Sequence, residues 1–259
     1  MKNDIKRYIE KAASFLKKNF TRKNEDLTFY LLIVIAFIVF VVGINFFVEL
    51  TDSISGTSLK SYDRAVTDFI ISFRTPGHNK FFQFITDTGD LYGYLIATAL
   101  ASLFFFLKFR NWKIILELIA VTILAALSNI ALKRVINRQR PEIEHLVVVE
   151  SLSYPSGHSM SAMAFYGFLI YLSFRIKMSR WLRGFLIFLF VFLILGIGIS
   201  RIYLGVHFPS DVLGGYTAGL IWIAFCVVLF NLIDLIRKRK RQGKPITKEE
   251  RESEENLQK

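Results

Sequence analysis

Long apolar runs separated by polar connections dominate the pattern of this chain. A helix needs about 20 apolar residues to cross a bilayer, and each run reaches or nearly reaches that length. The runs cover residues 27–48, 91–107, 113–132, 158–174, 182–199 and 212–236, of which the fourth is the shortest. This pattern predicts an all-α fold in which six transmembrane helices form one membrane domain over residues 27–236.

The connection 49–90 is longer than the others and has a periodicity of its own. Aromatic and aliphatic residues recur at helical spacing from Tyr62 to Phe73, and a second apolar group follows Thr75-Pro76-Gly77. We therefore expect one or two short helices at the membrane interface, either packed against the bundle or forming a lipid-facing wall beside a site.

The two ends of the chain are charged. Residues 1–26 combine basic and apolar positions at helical spacing, which fits either an amphipathic helix on an anionic membrane surface or a solvated basic tail. Residues 237–259 contain a basic run followed by mixed acids and bases, a composition typical of disorder. We interpret them as a cytoplasmic N-terminal segment and a cytoplasmic tail.

The net charge of +12 would suggest a nucleic-acid partner in a soluble protein. Here the basic residues lie beside the apolar runs, so topology and anionic lipids explain them better and nucleic acid is not expected. The basic segments are residues 1–26, 108–113, 175–183 and 237–241. With six spans they share one side, so the positive-inside rule predicts cytoplasmic termini in a plasma membrane, the cytoplasmic membrane of a bacterium.

Cationic and reactive side chains gather on the predicted outer side, always at the end of an apolar run. The residues are Lys133, Arg134, Arg138 and Arg140 after the third run, Ser156, Gly157 and His158 at the start of the fourth, and Arg201, His207 and Asp211 between the fifth and sixth. Because the topology was assigned from other residues, their agreement on one side indicates a shared site. Lysine and arginine form charge-assisted hydrogen bonds to phosphate, and the amides at a helix start point toward any anion there.

Two of these residues have the spacing of a nucleophile and the group that orients it. His207 and Asp211 are four residues apart, and Pro209 between them is well placed to begin a helix. One helical turn would bring the carboxylate to the ring, fix its tautomer and make the other nitrogen a better nucleophile. The single cysteine, Cys226, offers no intrachain disulfide, and no residue cluster has metal-ligand spacing.

The spacing of these residues resembles the three motifs of the type 2 phosphatidic acid phosphatase (PAP2) family. The motifs are Lys133, six residues and Arg140-Pro141; Pro155-Ser156-Gly157-His158; and Ser200-Arg201, five residues, His207, three residues and Asp211. The resemblance covers roughly residues 60–236 without a departure at any motif position. It implies a helical core shared with haloperoxidases, and a metal-independent membrane phosphatase without cofactor.

The resemblance also implies a role for each residue. His207 would attack phosphorus and form a phosphohistidine, Asp211 would orient it, and His158 would protonate the leaving oxygen and then activate water. The residues that would hold the phosphate are Lys133, Arg140, Arg201, Ser156 and Gly157. Outside the matched positions, Arg134 and Arg138 are interfacial anchors or secondary phosphate contacts, and we favour anchors. Tyr154 and Tyr203 line the site or belong to the aromatic belt, and we favour the belt.

The expected substrate is a membrane lipid phosphate or diphosphate of the phosphatidic acid, phosphatidylglycerol phosphate or undecaprenyl diphosphate type, acted on at the outer face. A phosphotransferase that passes the phosphate to another lipid or sugar would have the same motifs. A transporter is disfavoured because the charges lie at run ends, and a non-catalytic scaffold because the motif set is complete. The oligomeric state stays open.

Overall fold

A computed structural model describes residues 25–149 and 151–242, with side chains for residues 31–149 and 151–237. In these ranges the chain forms eight α-helices and no strand, which confirms the all-α prediction. The helices are α1 (Glu25–Ser53), α2 (Thr57–Ile71), α3 (Pro76–Asp87), α4 (Leu91–Phe109), α5 (Trp112–Ile136), α6 (Gly157–Arg175), α7 (Arg180–Tyr203) and α8 (Pro209–Gln242). The predictions for residues 1–24 and 243–259 lie outside the described residues.

The helix ends follow local sequence signals. Proline begins α3 and α8, where its missing N–H and fixed φ suit the first turn. The Thr75 side chain accepts a hydrogen bond from the backbone N–H of His78 (3.2 Å) and caps α3. At the end of α5, Asn137 adopts a left-handed conformation with φ 52°, and the chain turns away from the helix.

Five of the described helices are long and apolar enough to cross a membrane, namely α1 from Leu31, α4, α5, α7, and α8 as far as Arg237. The remaining long helix, α6, coincides with the predicted fourth span and has 19 residues. It is less apolar because serine and glycine residues interrupt it. A membrane protein with several spanning helices is supported, while the sixth span stays a prediction.

The side chains of α6 are the most completely covered in this part of the chain. Met160, Ala164, Phe168 and Leu172 recur every fourth residue and are fully buried. The helix packs against α5 on one side and α7 on the other. Its polar positions therefore face protein, which explains how a less apolar helix is accommodated.

Two glycines of α8 allow a close approach to α6. A Cβ atom added to Gly215 would lie 2.9 Å from the Ser159 Cβ, and one added to Gly219 would lie 2.8 Å from the Met163 Cβ. The four-residue spacing of these glycines therefore lets the backbones of α6 and α8 pack closely.

The connection 49–90 forms two helices, α2 and α3, which both pack against α7. At the end of α7, Tyr203 stacks on Phe82 of α3 with 4.1 Å between ring centroids and donates a hydrogen bond to Asn79 (2.7 Å). Tyr154 is also buried, with its hydroxyl 3.1 Å from Thr51 Oγ1. The expectation that Tyr154 and Tyr203 belong to an aromatic belt was therefore wrong.

The described residues divide into two compact units. One comprises residues 34–226 and contains every motif residue together with α2–α7. The other comprises residues 25–33 and 227–242. All the distances reported below lie within the first unit.

Candidate active site

The motif residues meet where α5 and α7 end and α6 and α8 begin. The backbone N–H of Ser156 donates to the carbonyl of Asp211 (3.0 Å), which joins the starts of α6 and α8. The carbonyl of Arg201 accepts a hydrogen bond from the N–H of His207 (3.2 Å). Gly205 has φ 82°, a left-handed conformation that favours glycine, and it lets the chain turn between α7 and α8.

The His207 ring lies between a carboxylate and a guanidinium. Its Nδ1 is 3.4 Å from Asp211 Oδ2, as the four-residue spacing predicted, and its Nε2 is 3.3 Å from Arg140 Nη1. Because a guanidinium can only donate, the neutral ring carries its proton on Nδ1 and presents a lone pair at Nε2. Nε2 is therefore the ring nitrogen with a lone pair, and that lone pair faces the Arg140 guanidinium.

Burial keeps this ring neutral. His207 is 1% exposed. Removal from water lowers the pKa of His207 to about 3; the hydrogen bond to Asp211 opposes this shift, and the Arg140 and Arg201 cations add to it. At neutral pH the ring therefore keeps the electron pair that an attack on phosphorus requires.

The Asp211 carboxylate is held in place by three donors. Oδ1 accepts a hydrogen bond from Arg138 Nη1 (2.6 Å), and Oδ2 accepts from the backbone N–H of Phe208 (2.7 Å). Oδ2 also accepts from the hydroxyl of Ser153. Because Asp211 is fully buried, these bonds replace the water that the carboxylate has lost and fix its orientation toward His207.

Arg138 joins this carboxylate to α2. Its Nη2 donates to Asp63 Oδ2 (2.8 Å), and Asp63 also accepts from the backbone N–H (2.9 Å) and hydroxyl (2.6 Å) of Ser210. The Arg138 side chain is 10% exposed and lies between carboxylates that are 1% and 0% exposed. Arg138 is therefore a buried bridge, and the expectation of an interfacial anchor was wrong.

Arg140 and Lys133 converge on the segment that precedes α6. Lys133 Nζ donates to Ser151 Oγ (2.9 Å) and to the carbonyl of Leu152 (2.7 Å). Arg140 donates to Ser151 Oγ through Nη2 (3.1 Å), to the Ser151 carbonyl through Nε (2.6 Å), and to the Val206 carbonyl through Nη1. The shared Ser151 hydroxyl places both cations in one cluster beside His207.

Arg201 is a buried cation with one unused donor. Its Nη1 donates to Thr86 Oγ1 (2.6 Å). Its Nε is buried and has no hydrogen-bond partner in the part of the chain that the structure describes. Since an unpaired buried donor is costly, an anion that accepted a hydrogen bond from it would be favoured.

His158 has a carboxylate partner from outside the motifs. Its Nε2 is 2.6 Å from Asp90 Oδ1, at the residue before α4. The His158 side chain is 22% exposed, and that hydrogen bond holds the pKa of Asp90 below its ordinary value although burial opposes the shift. The site therefore contains two histidine–aspartate pairs, one buried and one that water can reach.

Ser156 and Gly157 serve the fold at the start of α6. The buried Ser156 hydroxyl caps the helix, accepting from the backbone N–H (3.4 Å) and hydroxyl (3.0 Å) of Ser159. A Cβ atom at Gly157 would lie 2.9 Å from Asn129 Oδ1. The phosphate contacts expected of these two residues stay predictions.

Comparison with known proteins decides the family. Residues 114–233 match the PAP2 superfamily. Phosphatidylglycerophosphatase B of Bacillus subtilis (strain 168) is 37% identical over 182 residues, which are 68% of this chain and 87% of that protein. The chain belongs to the PAP2 superfamily.

Two solved PAP2 structures share the fold. The crystal structure of a transmembrane PAP2 type phosphatidylglycerolphosphate phosphatase from Bacillus subtilis is similar with a TM-score of 0.67 at 32% identity, over 74% of this chain and 96% of that one. Aquifex aeolicus LpxE gives a TM-score of 0.51 at 27% identity, over 63% of this chain and 93% of that one.

A further PAP2 relative acts on a different lipid. The lipid A 1-phosphatase of Rhizobium johnstonii is 28% identical over 127 residues, which are 45% of this chain and 48% of that protein. Together the relatives place the chain among the membrane PAP2 lipid phosphatases. The predicted family and membrane class are confirmed at this level.

Sequence reasoning missed the partners that hold the PAP2 motif residues. Asp63 carried a weak signal, because it lies on the apolar stripe of α2, four residues after Leu59 and three before Val66. An acidic side chain is rarely buried without a basic or hydrogen-bonding partner, so this position indicates that Asp63 is paired. Asp90 precedes a helix and has the signature of an ordinary N-cap, so nothing in the local pattern indicates that it binds His158.

Proposed function

We propose that this PAP2 phosphatase hydrolyses the phosphate of a lipid phosphomonoester or diphosphate through a phosphohistidine on His207. The observation that carries the proposal is the geometry of that ring, with Nδ1 3.4 Å from Asp211 Oδ2 and Nε2 3.3 Å from Arg140 Nη1. A phosphate drawn to Arg140 would meet the Nε2 lone pair.

In the first step, Nε2 of His207 forms a bond to phosphorus while the bond from phosphorus to the lipid oxygen breaks. Asp211 offsets the positive charge that develops on the ring and keeps the proton on Nδ1. The charge on the phosphate oxygens is balanced by Lys133, Arg140 and Arg201. These cations supply the charge that metal ions supply in many phosphoryl transfers, so we propose that no metal is required.

The lipid oxygen needs a proton as it leaves, and His158 provides it. In the second step His158 accepts a proton from water, the water oxygen bonds to phosphorus, and the bond to Nε2 breaks. Inorganic phosphate then leaves and His207 returns to its neutral form. The partial exposure of His158 and its 2.6 Å contact with Asp90 support this role, because water can reach the ring and the carboxylate holds its orientation.

For the substrate we propose phosphatidylglycerol phosphate first, ahead of phosphatidic acid and undecaprenyl diphosphate. The phosphatidylglycerophosphatase relative covers more of this chain than the lipid A phosphatase relative and is more similar to it. The distribution of basic residues supports a site at the outer face, because the basic connections lie at the other end of the helices.

The test is phosphate release by the detergent-purified full chain in the presence of EDTA, with the three lipids offered separately. We expect release from phosphatidylglycerol phosphate to be fastest. His207→Ala should abolish release, because it removes the ring whose Nε2 lies 3.3 Å from Arg140 Nη1 and would attack phosphorus. His78→Ala is the matched control, since His78 is an exposed histidine of α3 that binds only local backbone.

The outcomes separate the parts of this proposal. Full activity of a folded His207→Ala protein would overturn the phosphohistidine mechanism. Loss of activity in EDTA that Mg²⁺ restores would overturn metal independence. Faster release from another lipid would replace the proposed substrate and leave the mechanism standing.

A further inference from the structure

A large apolar cavity lies between α4, α6 and α7, and its lining contains none of the motif residues. Its volume is about 760 Å³, within the range of cavities that bind small molecules. The lining includes Leu100, Phe104, Phe165, Leu169, Leu186 and Phe190. The proposed hydrolysis uses none of these residues, so the cavity needs an explanation of its own.

The lining of the cavity extends from the middle of α4, α6 and α7 to the end of the bundle opposite the reaction centre. The lining runs from Ala97 to the end of α4, from Phe165 to Ser173 in α6 and from Leu182 to Phe190 in α7. His158 begins α6 and Arg201 lies near the end of α7. Along the axis of α6, the lining lies between about 10 Å (Phe165) and about 22 Å (Ser173) from His158, at 1.5 Å per residue. The positive-inside pattern predicts that this end is cytoplasmic.

Two lysines stand at this end of the lining. Lys108 and Lys177 are exposed, and neither has an acidic partner within 4 Å among the described residues. The neighbouring Arg183 is already engaged, donating to the carbonyls of Ser173 (3.1 Å) and Ile176 (3.4 Å). An apolar chamber with two available ammonium groups at its rim is complementary to an amphipathic anion.

We propose that this cavity binds an anionic glycerophospholipid of the membrane, with an acyl chain among the phenylalanine and leucine side chains and its phosphate between Lys108 and Lys177. Basic pockets between helices on the cytoplasmic side suit anionic lipid head groups. A zwitterionic lipid would gain the apolar contacts but less from the lysines. Residues 1–24 of this chain are a poorer occupant, because they carry more basic than acidic side chains and would be repelled by the same lysines.

The proposal does not depend on the proposed hydrolysis, so binding is measured directly. The full chain is delipidated in detergent and examined by native mass spectrometry with phosphatidylglycerol or phosphatidylcholine of identical acyl chains. We expect phosphatidylglycerol to bind roughly fivefold or more tightly, as one or two lysine–phosphate contacts would give. Melting temperatures without added lipid report whether each variant is folded.

Three variants locate the binding. The double change Lys108→Gln and Lys177→Gln should reduce phosphatidylglycerol binding to the phosphatidylcholine level. Ala101→Phe adds a ring inside the cavity and should weaken both lipids. Arg180→Gln is the matched control, because it removes an exposed charge at the same end of the bundle without changing the lining, and binding should be retained.

The proposal is overturned if wild-type protein binds the two lipids equally, or if Arg180→Gln lowers phosphatidylglycerol binding as much as the double lysine change. Equal binding would mean that the charge of the lipid does not affect its affinity. An equal effect of Arg180→Gln would mean that the overall surface charge, and not the two lysines, attracts the lipid. Unchanged binding of both lipids by a folded Ala101→Phe protein would equally exclude the cavity as the place of the acyl chain.

Discussion

Replacing Arg138 with methionine tests whether the bridge between Asp63 and Asp211 stabilises the site. Methionine keeps much of the side-chain volume but removes the guanidinium that donates to both carboxylates, at 2.8 and 2.6 Å. Because those carboxylates are 1% and 0% exposed, water cannot take its place. The change leaves two buried negative charges near each other without the positive charge between them.

Removing one partner from a buried ion pair typically costs about 3–5 kcal/mol. In a domain of this size each kcal/mol lowers the melting temperature by about 2–4 °C, so the Arg138→Met protein should melt roughly 6–20 °C lower than wild type. The melting temperature of Arg138→Lys should lie between those of wild type and Arg138→Met, because lysine keeps the charge but cannot present two parallel donors. Phosphate release should fall as well, since Asp211 loses one of the bonds that orient it toward His207.

The assay is thermal unfolding in detergent, with Arg134→Met as the control. Arg134 is exposed, four residues earlier and equally charged, so its replacement changes the net charge without touching the bridge. A double-mutant cycle with Asp63→Asn should give a coupling of about 0.5–3 kcal/mol. If Arg138→Met melts at the temperature of Arg134→Met, or if the cycle is additive, the bridge contributes no stability and the reasoning fails.

Three further predictions follow from single contacts. Asp90→Asn should lower kcat for phosphate release about 10- to 100-fold with little change in KM, because His158 loses its charged partner; an unchanged kcat would show that the pair is not used. Gly205→Ala should destabilise the protein by about 1–2 kcal/mol, since alanine disfavours φ 82°, whereas Gly77→Ala, which meets nothing within 4 Å, should melt like wild type. The lowered pKa of His207, about 3 against an ordinary 6.5, means that between these values the unfolded chain binds the extra proton, so stability should fall as pH drops from about 6.5 toward 3. His207→Asn should make the melting temperature depend less on pH between about 6.5 and 3. If the melting temperature of the variant falls as steeply as that of wild type, the titration of His207 is not the cause.

The parts of the site that could be predicted are those whose chemistry is local in sequence. His207 and Asp211 are one helical turn apart and Pro209 begins the helix, so their contact follows from spacing alone. The partners that fix the site could not be predicted, because they come from distant helices. Asp63 is 75 residues from Arg138, and a single sequence carries no signal that joins residues so far apart.

The fold shows the same division between local and distant information. Runs of apolar residues predicted the helices, because periodicity is a local property. For residues 49–90 they predicted one or two helices, and the structure has two. Burial depends on residues that are distant in the sequence. For that reason the prediction that two tyrosines belong to the aromatic belt was wrong. Tyrosine is common at membrane interfaces, but both of these side chains are buried. The hydroxyl of Tyr154 contacts Thr51 and that of Tyr203 donates to Asn79, on segments that are distant in the sequence.

The inner position of α6 has a consequence for the biogenesis of the protein. Ser159 and Ser173 of α6 are buried among neighbouring helices, so protein atoms and not lipid surround them. Before those neighbours are present, the same residues would face lipid, which favours them much less than leucine or phenylalanine. The four-residue connection 176–179 joins α6 to the more apolar α7. The two helices would therefore leave the insertion machinery as a hairpin, with α7 carrying its less apolar partner into the bilayer.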